Sequence, residues 1–268
     1  MERYLEHLEP ETKRILIMKT IFCLLLISLL FADCSKSDTS YVNNPNAPDY
    51  LHNRAVGASA NELLASSKYN SLKIEVQYMT GFAPDAAALN HLQSTLATLV
   101  NKPSGITIIT KEIPASTNLA LSVNDIITIE KNNRTAFTTG NEIAVYVLYT
   151  NGNYTDNNVL GVAYKNTSVA LFGKKINDNS GGIGQANRTK LVATVLEHEL
   201  GHLLGLVDIG STMQTPHKDA AHGNHCNNSN CLMYYASETS DIFGFLITGN
   251  IPAFDTNCRA DLTANGGK

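Results

Sequence analysis

The chain has 268 residues, with 20 Lys and Arg against 24 Asp and Glu, and a formal charge of −4. That length suits one medium domain with a sizeable core. The even charge balance and the lack of any basic stretch exclude a phosphate-tracking surface, so nucleic acid is not an expected partner.

Residues 21–32 (IFCLLLISLLFA) form an apolar run of the length found in export signals and too short to span a bilayer comfortably. Met18 and Lys19 stand just before it, so Met18 is the expected start. Cys34 follows the run and precedes Ser-Lys-Ser-Asp, a pattern that resembles a bacterial lipobox with Cys34 as the lipid-bearing residue. Residues 1–34 are thus read as a leader. Residues 35–67, rich in Asn, Ser, Pro and Asp, are read as a flexible tether, and 68–268 as the folded domain. The expected location is extracytoplasmic, on the cell membrane or outer membrane, and the expected state is monomeric.

Residues 72–78 alternate apolar and polar and predict a half-buried strand. Residues 84–99 predict a helix, with Ala88, Leu89, Leu92, Leu96 and Leu99 at helical spacing. A short strand is expected over 106–109 and a helix over 122–133. Residues 143–149, 159–164 and 168–172 read as strands separated by turn residues. A Gly- and Asn-rich loop over 177–184 leads into a long helix over 185–204. Beyond Leu206 the chain is irregular and rich in His and Cys, with a last helix near 255–264. The order implies an α+β domain with a mixed sheet.

The long helix carries His198-Glu199-Leu200-Gly201-His202. Histidines one helical turn apart leave the same face and can reach one ion. Glu199 beside them can take a proton from a water that the metal activates. Gly205 is placed to let the chain leave the helix and bring round a third ligand. His217, His222 and His225 follow closely.

The stretch HELGHLLGL resembles the zinc helix of the metzincin metallopeptidases, HExxHxxGxxH or HExxHxxGxxD. His225-Cys226 through Cys231-Leu232-Met233 resembles the H-C-x4-C-x-M segment of the archaemetzincins. The close resemblance covers residues 195–233, less the insertion at 208–224. It implies a metzincin-like mixed twisted sheet, a long zinc-binding helix and a small irregular C-terminal subdomain. It also implies one catalytic Zn2+ held by His198, His202 and a third ligand. His225 and Asp208 compete for that third place, with His217 and His222 behind them. Met233 would pack beneath the ligands, and Tyr235, or Tyr234, would stand near the reacting carbonyl.

Archaemetzincins hold a second zinc through four thiols, which the single downstream Cys258 cannot complete. A disulfide between Cys226 and Cys231 is therefore expected, and a second metal using His217, Asp219 or His222 is not. The implied activity is hydrolysis of a peptide or protein substrate, with Glu199 as general base. An extended substrate is expected to pair with strand 168–172. The competing reading is a non-catalytic surface lipoprotein that binds or adheres on the same fold.

Overall fold

The apolar character of one strand sets the order of the sheet. In the computed structural model, which describes residues 50–268, strand β4 (Glu142–Thr150) is buried at every position after Glu142. Ile143, Val145, Val147 and Tyr149 face one core, and Tyr146 and Leu148 face the other. A strand buried on both faces belongs inside a parallel sheet covered by helices. β1 (Ser71–Met79) and β7 (Ser168–Phe172) flank β4, both parallel to it. β2 (Ile106–Ile113) lies parallel beyond β1, and β6 (Gly161–Lys165) lies antiparallel beyond β7. The order is β2-β1-β4-β7-β6, with a separate two-stranded pair of β3 (Ala120–Leu121) and β5 (Asn153–Tyr154).

The helices follow the expected periodicities. α2 (Ala86–Leu99), after the short α1 (Ala60–Leu64), buries Leu89, Leu92, Leu96 and Leu99 in the first core. Asp85 caps α2 by accepting from the backbone N–H groups of Ala87 and Ala88. α3 (Val123–Asn133) starts in a Ser122–Asp125 capping box and puts Ile126 into the second core, on the opposite face. The capping box and the burial of Ile126 outweigh the β-branched run that makes this helix ambiguous in sequence.

After α4 (Gly173–Asp178), α5 (Arg188–Leu203) is buried at every residue from 191 to 203. Its end is a Schellman motif. Gly205, at φ 80°, donates to the His202 carbonyl, and Leu206 donates to that of Gly201. The C-terminal region beyond it is irregular, with only α6 (Ile242–Thr248), α7 (Thr256–Ala264) and a 3-10 turn at Tyr235–Glu238.

Three expectations change. The strand 168–172 is interior, since β7 lies between β4 and β6, so the free edge on the active-helix side belongs to β6. The loop expected to begin at 177 is partly helix, because α4 runs to Asp178. Residues 50–67, expected as the end of a tether, are folded onto the domain. Leu63 and Leu64 join the main core, each contributing about 1.5–3 kcal/mol by burial. His52 accepts from the Thr138 backbone N–H through Nε2, and its Nδ1 lies 2.6 Å from Thr167 Oγ1. Burial, then the neighbouring Arg134 guanidinium, pushes the His52 pKa down to about 3. The polar composition that suggests a tether here instead supplies partners for the sheet. The expected leader, Cys34 and the first part of the tether lie outside the described residues.

Candidate metal centre

Helix α5 presents His198 and His202 on one face, and their Nε2 atoms are 3.2 Å apart. The loop after the insertion brings His225 beside them. Its ring centroid is 5.2 Å from each of the other two. The fourth member of the cluster is Glu238, from the 3-10 turn at Tyr235–Glu238. Its Oε2 lies 3.5 Å from His198 Nε2 and 3.9 Å from His202 Nε2, and its Oε1 lies 3.2 Å from His225 Nε2.

Two of the three outer nitrogens are arranged as metal ligands require, while His202 Nδ1 is buried without a hydrogen-bond partner. His198 Nδ1 donates to the Leu232 carbonyl at 2.7 Å, and His225 Nδ1 donates to the His222 carbonyl at 2.6 Å. These bonds place the proton on Nδ1 and leave Nε2 with a free lone pair. His225 Nε2 makes no aligned hydrogen bond despite its short distance to Glu238. The donor atoms thus converge on a shared point rather than on one another, and the set fits a zinc ion in chemistry and spacing.

Glu199 is fully buried next to His198. Burial, then the negative charge of Glu238, holds its carboxyl well above the usual carboxylate range. A Cβ on Gly161 would come within 2.7 Å of Glu199 Oε1. The carboxylate therefore lies against the first residue of β6, where only glycine leaves room. Burial also lowers the His202 pKa well below its ordinary value, reinforced by His198. Burial alone would raise Glu238, but His198 and His225 pull it below the usual range.

The other sequence candidates fall as follows. Asp208 is exposed, in a left-handed backbone conformation at φ 72°, and is not part of the donor cluster. Met233 is fully buried and packs against Gly201 of α5. The Tyr235 ring stacks on His222 at 3.8 Å and lies 4.7 Å from the Tyr234 ring. His222 itself pairs with Asp219 at 2.7 Å. Glu238 is the residue that sequence reasoning missed. Its only signal is position, in the turn just after Met233.

A second cluster lies behind the first. Cys226, Cys231 and Cys258 are buried free thiols, so the disulfide expected between Cys226 and Cys231 is not formed. Cys231 Sγ is 3.6 Å from Cys258 Sγ. His217, from the insertion, places Nδ1 at 3.4 Å from Cys226 Sγ and 4.0 Å from Cys258 Sγ. Its Nε2 lies 2.8 Å from Asp261 Oδ2, and Asp261 Oδ1 accepts from the Gln214 backbone N–H at 2.7 Å. Hydrogen bonds from Cys231 and Cys258 lower the Cys226 thiol, while Cys231 is raised to about 12. The expected second-site donors Asp219 and His222 pair with each other. Of the three histidines and carboxylates weighed for that site, His217 is the one placed among the thiols.

No protein-family model matches the chain, and neither does any curated protein sequence. Among solved structures, archaemetzincin from Methanopyrus kandleri aligns with a TM-score of 0.50 at 15% identity. The alignment covers 73% of this chain and 96% of that one. Metalloproteinase-II from Bacteroides fragilis aligns with a TM-score of 0.44 at 13% identity, over 75% of this chain and 54% of that one. The mixed, mostly parallel twisted sheet and its helices are an archaemetzincin-like fold.

Proposed function

We propose that this chain is a zinc metallopeptidase. The observation that carries the reading is the meeting of three histidine Nε2 atoms beside a buried carboxylate, Glu199, on a single helix and loop framework. His198, His202 and His225 would hold the ion. When bound there, zinc supplies a Lewis acid that acidifies water and polarises a carbonyl.

Glu199 takes the proton of the attacking water and returns it to the leaving amine. Its burial makes it a stronger base than an exposed carboxylate, which suits the first half of that task. β6 offers a free sheet edge along which an extended peptide can pair, bringing a carbonyl past Glu199 at Gly161. Tyr235 is assigned no step, since its ring is engaged with His222.

The thiol cluster supports a second, structural ion in this reading. His217, Cys226, Cys258 and Asp255 each place a donor atom within 4.8 Å of the others, and Asp261 orients the imidazole from behind, as carboxylates do for zinc-bound histidine. Export and anchoring through a lipid on Cys34 complete the proposal and rest on the leader pattern alone. A Cys34→Ser variant that still partitions with membranes would remove that part.

One observation favours the non-catalytic alternative: Glu238 gives the histidine site a fourth protein donor. The two readings separate in one experiment. Zinc content and hydrolysis of a broad fluorogenic peptide pool are measured for the wild type, Glu199→Ala and His225→Ala. The peptidase reading expects zinc retained and hydrolysis lost in the first variant, and one zinc lost in the second. Zinc-loaded wild type without turnover on any peptide would hand the case to the binding module.

A further inference from the structure

We infer that Glu238 is a fourth protein ligand of the histidine-site metal, and that it closes the site until the turn carrying it is displaced. The inference rests on the metallopeptidase reading above but adds a ligand and a gate that the reading does not need.

A tetrahedral ion with ligand bonds of about 2.0–2.1 Å separates its donor atoms by about 3.3–3.4 Å. The two α5 imidazole nitrogens are 3.2 Å apart. Glu238 Oε2 stands 3.5 Å from His198 Nε2 and 3.9 Å from His202 Nε2, and its Oε1 stands 3.2 Å from His225 Nε2. A carboxylate serving only as a surface ion-pair partner has no reason to approach three imidazoles at once. One that shares a metal with them must, and a donor atom of Glu238 lies within 4.8 Å of all three histidine donors.

The backbone around Glu238 gives the second observation. Its carbonyl accepts from the Leu160 backbone N–H at 2.7 Å, and Ser240 donates to the Asn158 carbonyl at 2.9 Å. Val159 and Thr239 form an antiparallel bridge between them. The segment 238–240 therefore lies along the chain that leads into β6. That is the approach by which an extended peptide would reach the free edge. The carboxylate that fills the fourth coordination position and the backbone that pairs with residues 158–160, at the entry to β6, are one strap. A substrate that pairs with β6 and runs on past Leu160 competes with the strap for the same backbone groups, and lifting the strap opens the metal at the same moment.

The strap is the less buried of the two ligand supports. Its 3-10 turn spans four residues, Tyr235–Glu238, and of these Ser237 alone is buried. By contrast the histidines stand on a helix buried throughout and on a loop tied by Cys226 to the Met233 carbonyl. The ligands that must stay are rigid, and the one that must leave sits on a short turn.

The test uses the zinc-loaded full chain, with acetohydroxamate as a bidentate probe of an open coordination position. Zinc affinity is measured by chelator competition and hydroxamate binding by calorimetry, for wild type, Glu238→Ala and the nearly isosteric Glu238→Gln. The strap predicts opposite signs: both variants hold histidine-site zinc more weakly than wild type, yet bind hydroxamate about tenfold or more tightly. The gain reflects a closed form that no longer outcompetes the probe. A merely structural role would weaken both. Hydroxamate affinity in Glu238→Gln equal to or below wild type overturns the strap while leaving the peptidase standing. Wild-type zinc content that does not drop on His225→Ala removes the metal site itself, and the strap with it.

Discussion

The two donor clusters sit close together in the sequence but differ in every respect that matters to a metal. The histidine cluster offers nitrogen and carboxylate oxygen, includes a half-buried turn and keeps Glu199 beside it as a buried carboxylate. The thiol cluster offers two buried sulfurs, Cys226 and Cys258, with His217 and Asp255, while Cys231 stands beside Cys258 and Asp261 is sealed behind the imidazole. Borderline and hard donors with one removable member suit an ion that must exchange a ligand. Thiols and an imidazole that are themselves buried suit an ion that only holds the chain together. One loop, 217–233, feeds both, so the second cluster fixes the position of His225 for the first.

That contrast can be broken at several points. The largest effect is expected for Glu199→Gln. Peptide hydrolysis should fall by roughly 10²–10⁴-fold, as for loss of a general base, with zinc content unchanged. Loss of zinc along with activity would mean that Glu199 shapes the site rather than the chemistry. Next comes Cys258→Ser, which should remove one zinc per chain and destabilise the fold by about 4 kcal/mol or more, the scale of losing a structural metal. Chemical denaturation checks it. Unchanged stability would reduce the thiol cluster to ordinary core.

A smaller effect tests a part of the molecule that holds no metal. His52 has its pKa held down to about 3, so its neutral form belongs to the folded state. The unfolded imidazole, near 6.5, binds a proton that the folded one refuses. Stability from this residue is therefore full above pH 6.5 and is lost as pH falls from 6.5 towards 3, at no more than about 1.4 kcal/mol per pH unit. Urea melts of wild type and His52→Gln across that window should converge on acidification. Parallel curves would remove His52 as the cause. The smallest effect belongs to Asp208→Asn, which keeps a side chain tolerant of positive φ. It should leave zinc content intact and shift stability by no more than about 0.5 kcal/mol. A lost zinc would restore Asp208 as a ligand.

Much of the architecture was legible because periodicity is a local signal. The alternation at 72–78 and the leucine spacing of 84–99 map onto β1 and α2 within a residue or two. The zinc-helix pattern likewise marks α5, whose two histidines share a face by helical geometry alone. Long-range facts were not legible. Whether β6 or β7 takes the edge depends on strand order, which neither strand's composition encodes. Glu238 reaches the histidines through a turn whose path is set by pairing with residues 158–160. His217 looks like one more polar residue in an insertion until the fold sets it beside Cys226 and Cys258. Residues 50–67 look like linker because their polar groups are spent on buried partners such as Thr167 rather than on water.

Asp261 has a consequence for the order of events during synthesis. Its two oxygens hold the insertion, through His217 and Gln214, from a helix that also carries Cys258. Both residues are made after every group they bind. Until they emerge, Cys226 and Cys231 are an open thiol pair without their third sulfur, and His217 has no carboxylate to orient it. A chain emerging N-terminus first therefore passes through a stage at which these two cysteines are free to oxidise to the disulfide that the finished fold does not contain. Arrival of α7 brings the third thiol and the carboxylate that orients His217, so the cluster closes only when that helix docks.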